Sequence, residues 1–130
     1  MLTFKQYLID EQTGIVDAGS SNMQVFRVHI PANVYTGKYY DYQTAPILVY
    51  ASSPEQAIGI VNSNKQAVID RISQKKIHGR RLVRKNAANH IFFKSSYFVR
   101  PVQGYTVNAL DASGKFVTVN GDGDGTWSLA

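Results

Sequence analysis

Hydrophobic and polar residues alternate over residues 23–30, where Phe26, Val28 and Ile30 are offset from Arg27 and His29. A two-residue period places the apolar set on one side of a half-buried strand. Residues 46–51 break the alternation with the continuous run Ile47-Leu48-Val49-Tyr50, the pattern of a central strand. Between the two, residues 31–45 mix proline and glycine with Tyr35, Tyr39, Tyr40 and Tyr42, and read as a loop or irregular hairpin. The period then changes. Ser53 can cap a helix, Pro54 suits its first position, and Gln56 completes a capping box. Ala57, Ile58, Val61, Val68, Ile69 and Ile72 follow at helical spacing to about Lys75. Unbroken, that helix would be roughly 33 Å long at 1.5 Å per residue, long for a small domain. Asn62-Ser63-Asn64 interrupts its apolar stripe, and Ser63 with Gln66 repeats the capping-box pattern, so a break or kink is expected there.

Three short strands are predicted next, around residues 81–85, 90–94 and 97–102, connected by Asn86-Ala87-Ala88-Asn89 and by Ser95-Ser96. Residues 105–110 and 115–119 form a hairpin through Asp111-Ala112-Ser113-Gly114. The tail turns through residues 120–125 toward Trp127 and Leu129. At the other end, Thr3 and Gln6 can cap a helical turn with Phe4, Tyr7 and Leu8 on one face, followed by a loop over residues 10–22. Strands around a central helical region make one α+β domain over residues 1–130. The expected architecture is a mostly antiparallel sheet with one long or broken helix packed on one face.

Composition narrows the function classes. With 44% hydrophobic and 18% charged residues, the chain suits a globular fold. It has no cysteine, which excludes disulfides, thiolate metal sites and a cysteine nucleophile. No apolar run approaches the ~20 residues of a membrane span. The first residues lack the pattern of a signal peptide, so a cytoplasmic location is expected. The formal net charge of +5 conceals an asymmetry: residues 65–100 hold ten bases and one acid, Asp70, and carry +9, against −4 for the remainder. Such a split points to an anionic partner, nucleic acid or an acidic protein, or else to a solvated basic face.

The densest cluster runs from Lys75 through Lys76, His78, Arg80, Arg81 and Arg84 to Lys85. These bases can neutralise several phosphates through counterion release, although Lys75 and Lys76 also suit a helix C-terminus. Downstream, His90, Phe92, Phe93, Lys94, Tyr97, Phe98 and Arg100 interleave aromatics with bases. Single-strand binders use that combination for stacking and backbone contact; a strand with one ring of each adjacent pair in the core explains it equally. The tyrosines Tyr35, Tyr39, Tyr40 and Tyr42 suit an interface or a loop folded over a sheet edge. Asn120, Asp122, Asp124 and Gly125 imitate the start of a calcium loop. The acid required at its twelfth position would fall beyond Ala130, so they read as a glycine-rich turn. His29, His78 and His90 have no ligand spacing, and no serine stands in a nucleophile elbow. The expectation is a non-catalytic binding protein without cofactor or metal; a structural or assembly subunit is the alternative, and an enzyme whose site assembles only in three dimensions the second.

The opening Met1-Leu2-Thr3-Phe4-Lys5-Gln6-Tyr7-Leu8 resembles the start of small proteins of tailed bacteriophages, with its Thr-Phe-Lys-x-aromatic-Leu turn. The resemblance covers eight residues and transfers no site. It implies either a virion component or an early protein that binds a host target.

Overall fold

The computed structural model describes residues 23–35, 38–74, 76–77, 80–81 and 87–130, with backbone alone at 76–77, 80–81 and 87. The expected helical turn at Thr3–Leu8 and the loop after it lie outside the described residues.

Alternation begins the fold, and it persists further than the sequence suggests. β1 (Gln24–Tyr35) and β2 (Tyr40–Ala51) pair antiparallel without interruption, from Gln24 opposite Ala51 to Tyr35 opposite Tyr40. The loop expected over residues 31–45 is therefore corrected to two strand halves and a short turn. Ala32, Val34 and Ala45 are small or β-branched, and they are buried in phase with Phe26, Val28 and Ile30, so the two-residue period outlasts the turn-forming residue types around it.

α1 (Pro54–Ser63) starts as predicted, with Ser53 Oγ accepting from the Gln56 N–H at 3.0 Å. The Gln56 side chain reaches back to Ser52, accepting from its amide and its hydroxyl. The helical region then breaks into two short helices, α2 being Lys65–Ser73. Ser63 does not cap it: Ser63 ends α1, and Gln66 Nε2 donates to Asp70 Oδ1 at 2.9 Å. The break falls at Asn64, whose Nδ2 donates back to the Ile60 carbonyl at 2.8 Å and so satisfies the end of α1 while leaving α2 without a side-chain cap.

β3 (Lys76–Ile77) and β4 (Arg80–Arg81) form a separate two-residue ladder; of the strand expected at 81–85, residues 82–85 lie outside the described residues. A 3-10 turn (Ala87–Asn89) follows. Residues 90–94 are not the expected strand. They make one isolated bridge, Ile91 to Ala32, flanked by Asn33 N–H to His90 O (2.8 Å) and Phe92 N–H to Pro31 O (2.9 Å). Pro31 has no N–H to return toward Phe92, and regular pairing stops there. It is β5 (Phe98–Pro101) that pairs with β1, over Phe26–His29. β6 (Thr106–Leu110), β7 (Phe116–Gly121) and β8 (Trp127–Leu129) complete a six-stranded mixed sheet in the order β5-β1-β2-β6-β7-β8. β6 joins β2 in parallel through Val49 and Leu110; the other neighbours are antiparallel.

One face of this sheet is closed by the helices: Val28, Ile30, Ile47, Val49 and Leu110 pack with Ala57, Ile60, Val61, Val68 and Ile72. On the opposite face a smaller core of Val25, Tyr50, Ala109, Val119 and Trp127 covers one end only. Trp127 Nε1 donates to the Val102 carbonyl at 3.1 Å, fixing that end. Beyond Val25 no described element packs over this second face.

Candidate binding face

The face left open by the described residues is assembled by register. Residues directly opposite across antiparallel strands point to the same side. Arg27 is opposite both Leu48 and Arg100, and His29 opposite both Pro46 and Phe98. The bridge at Ala32 puts Phe92 beside Pro31 and His90 beside Asn33, which is also opposite Tyr42. Tyr35 and Tyr40 close the far end. Rows along β1 therefore succeed one another every second residue, about 6.8 Å apart.

The rings of these rows meet in three groups. His29 and Phe98 lie 5.1 Å apart, Tyr42 and Phe92 5.9 Å, Tyr35 and Tyr40 5.3 Å, and Tyr40 stacks on His90 at 4.2 Å. Tyr42 and Phe98 are each 64% exposed, far more than structural rings of a sheet surface need be. At the end nearer the Trp127 core, Arg27 and Arg100 are directly opposite each other in the ladder. Like charges so placed oppose folding by up to ~1 kcal/mol. Of the described carboxylates, Asp41 faces the other way opposite Val34, Glu55 and Asp70 ride on the helices, and Asp111, Asp122 and Asp124 belong to the C-terminal meander. His29 feels the result. Burial, then the charges of Arg27 and Arg100, lower its pKa below the ordinary imidazole value, and its Nε2 is shielded from solvent with no partner among the described residues.

The segment that delivers Phe92 and Phe98 is held from the helix side. Tyr97 Oη donates to Asn62 Oδ1 and accepts from the Lys94 N–H, both at 2.7 Å, while Asn62 Nδ2 donates to the Lys94 carbonyl at 2.7 Å. This closed triangle pins residues 94–97 to α1. Ile91 and Phe93 face the core, which sends Phe92 to the open side.

Of the seven residues expected to bind anions, Lys94 alone has a described side chain. Lys75, Arg84 and Lys85 lie outside the described residues; Lys76, Arg80 and Arg81 are placed by backbone alone, with Lys76 registered opposite Arg81. Lys94 is at the margin against α1, near Lys65, whose Nζ lies 5.5 Å from the Phe93 ring. Of the tyrosines, Tyr35, Tyr40 and Tyr42 are strand residues of the open face, and Tyr39, 60% exposed, is in the turn. Sequence reasoning assigned no site role to Arg27 or His29. Their alternation with Phe26 and Val28 carried the signal that they share a side; their partners on β5, Arg100 and Phe98, lie 73 and 69 residues away in sequence. The calcium-like tail is a turn in which Asp122 Oδ1 accepts from the amides of Asp124 and Thr126. Among the described residues no three His, Asp or Glu side chains gather as metal ligands, and no helix is long and apolar enough to cross a membrane. Comparison with protein-family models, with curated proteins and with solved structures found no match to the chain.

Proposed function

We propose that the chain is a non-catalytic binding protein that engages an anionic partner, nucleic acid or an acidic protein, across the open sheet face. The observation that carries this reading is the apposition of Arg27 and Arg100 among exposed rings with no described carboxylate in the same rows. An anion laid across the two guanidinium groups removes their repulsion and accepts their planar forks. The +9 charge of residues 65–100, which includes Lys75, Lys76, Arg80, Arg81, Arg84 and Lys85, adds long-range attraction for the same partner class.

The test is a salt titration of binding to mixed-sequence single- and double-stranded nucleic acid and to polyglutamate. Log affinity for at least one of them is expected to fall steeply with log salt, with a shallower slope after Arg27→Ala and Arg100→Ala. Absence of binding to all three at low salt refutes the reading.

A second reading is a structural or assembly subunit, as the resemblance of Met1–Leu8 to small tailed-phage proteins implies. The exposed Tyr42 and Phe98 favour it, since contiguous aromatic surface is typical of subunit interfaces. Light scattering at high protein concentration separates the two: a strict monomer removes the assembly reading.

A further inference from the structure

We infer that the anionic partner is a single-stranded nucleic acid, whose bases stack on Phe98, Phe92 and Tyr42 while Arg27 and Arg100 hold its backbone. This rests on the anionic-partner reading and adds the ligand class. The argument begins with the spacing. Along β1 the row of Arg27 with Arg100 is followed by His29 with Phe98, by Pro31 with Phe92, and by Asn33 with Tyr42. Each step is about 6.8 Å, so the four rows span roughly 20 Å and offer a ring platform to about three bases.

The chemistry of the rows discriminates among polyanions. A duplex presents phosphates but keeps its bases stacked inside, so it can use the arginines and leave the rings idle. An acidic peptide likewise pairs with guanidinium groups but has no flat π-surface for successive rings. A second copy of the chain, docked with its strands along the two-fold axis, would set arginine pair against arginine pair, and docked across the axis it would leave the guanidinium groups without an anionic partner, since no described carboxylate lies in these rows. An unpaired strand uses everything the face exposes. Its bases have π-faces for Phe98 and Tyr42, each 64% in solvent, and its phosphates match the arginine forks. His29, beside Phe98 at 5.1 Å, supports that ring and is held toward its neutral form by burial and then by the same two arginines.

The experiment is fluorescence anisotropy with a labelled pyrimidine 12-mer, its duplex with the complementary strand, and polyglutamate as competitor, each over a salt series. The single strand is expected to bind at least tenfold more tightly than the duplex. Phe98→Ala and Tyr42→Ala each weaken single-strand binding about 5- to 100-fold, leaving the salt slope unchanged. Arg27→Ala and Arg100→Ala each reduce the slope by about 0.7. Because Phe98 and Tyr42 are exposed, the thermal midpoint of their variants serves as the control that the fold is intact. Equal binding of single strand and duplex, insensitive to Phe98→Ala, overturns the inference. Binding of polyglutamate alone also overturns it while preserving the anionic reading, and no binding of any polyanion defeats both. Self-association that is abolished by Phe98→Ala and unaffected by the oligonucleotide gives the face to a second copy and likewise overturns it.

Discussion

Replacing Tyr97 by phenylalanine removes one oxygen and leaves the ring in place, so its consequence can be worked out from three hydrogen bonds. Tyr97 Oη donates to Asn62 Oδ1 and accepts from the Lys94 amide, both at 2.7 Å. Without it the Lys94 N–H and the Asn62 oxygen lose their partners; Lys94 is exposed and Asn62 half-buried, so water compensates in part. Each lost bond then costs about 0.5–1 kcal/mol, near the lower range for a net hydrogen bond, and the substitution about 1–2 kcal/mol. For a chain of 130 residues this lowers the thermal midpoint by roughly 4–7 °C. The site should respond too, because the triangle fixes the segment that bears Phe92 and Phe98. Hydrogen exchange at the Lys94 amide is expected to accelerate, and calorimetry to report the loss of stability. Asn62→Ala breaks the same triangle, so the double variant should lose clearly less than the sum of the single losses. A midpoint within 1 °C of the parent, together with unchanged exchange at Lys94, refutes the assignment of the triangle as the clamp.

Three further outcomes follow from local geometry. His29 has a pKa below 6.5 in the folded protein, through burial and then Arg27 and Arg100; Phe98 and Pro46 flank it in its row. The unfolded chain therefore binds the proton more readily: stability is fully present above about pH 6.5 and declines as pH falls through the folded pKa. In denaturant melts, His29→Gln should flatten that decline, and an unchanged acid slope contradicts it. Gly114 ends the β6–β7 turn at φ +87°, where a Cβ would strike the Asn64 side chain, so Gly114→Ala should cost about 2 kcal/mol in chemical denaturation. Burial raises the pKa of Asp111, but the Ser113 hydroxyl, the Lys115 and Ser113 amides and the Lys115 charge together hold it below its ordinary value. Asp111→Ala should cost about 1 kcal/mol at neutral pH, with the difference shrinking as pH falls below about 3.8 through the folded pKa.

Much of the helix side was legible because its signals are local. Ser53, Pro54 and Gln56 announce α1 within four residues, and the interruption at Asn62–Asn64 marks the break, although the cap proved to be Asn64 bonding backward and not Ser63 bonding forward. The sheet was harder to read beyond Ile30. Pro31, Asn33 and Gly37 look like turn residues, yet Ala32 and Val34 maintain the period that keeps the chain extended. The α+β class and the two-residue alternation survive; the lengths of β1 and β2 do not follow from propensity, because burial of alternate residues against the helices decides them. The face itself was half legible. Interleaved rings and bases over residues 90–100 pointed to Phe92, Phe98 and Arg100, but Arg27 and His29 become site residues only through pairing with β5, which no local pattern encodes. The densest charge, Lys75 to Lys85, drew attention in the sequence, while the apposed arginines come from strands far apart in the chain.

The central claim is that the open face, and no other surface, receives the anionic partner. A titration of 15N-labelled protein with the pyrimidine 12-mer, and separately with polyglutamate, reports it residue by residue through amide shifts. The account predicts that the largest perturbations fall at Arg27, His29, Phe92, Phe98 and Arg100, with α1 and the Trp127 core unchanged. Perturbations concentrated on the helices or on the β6–β8 meander, or none with either polyanion, contradict it.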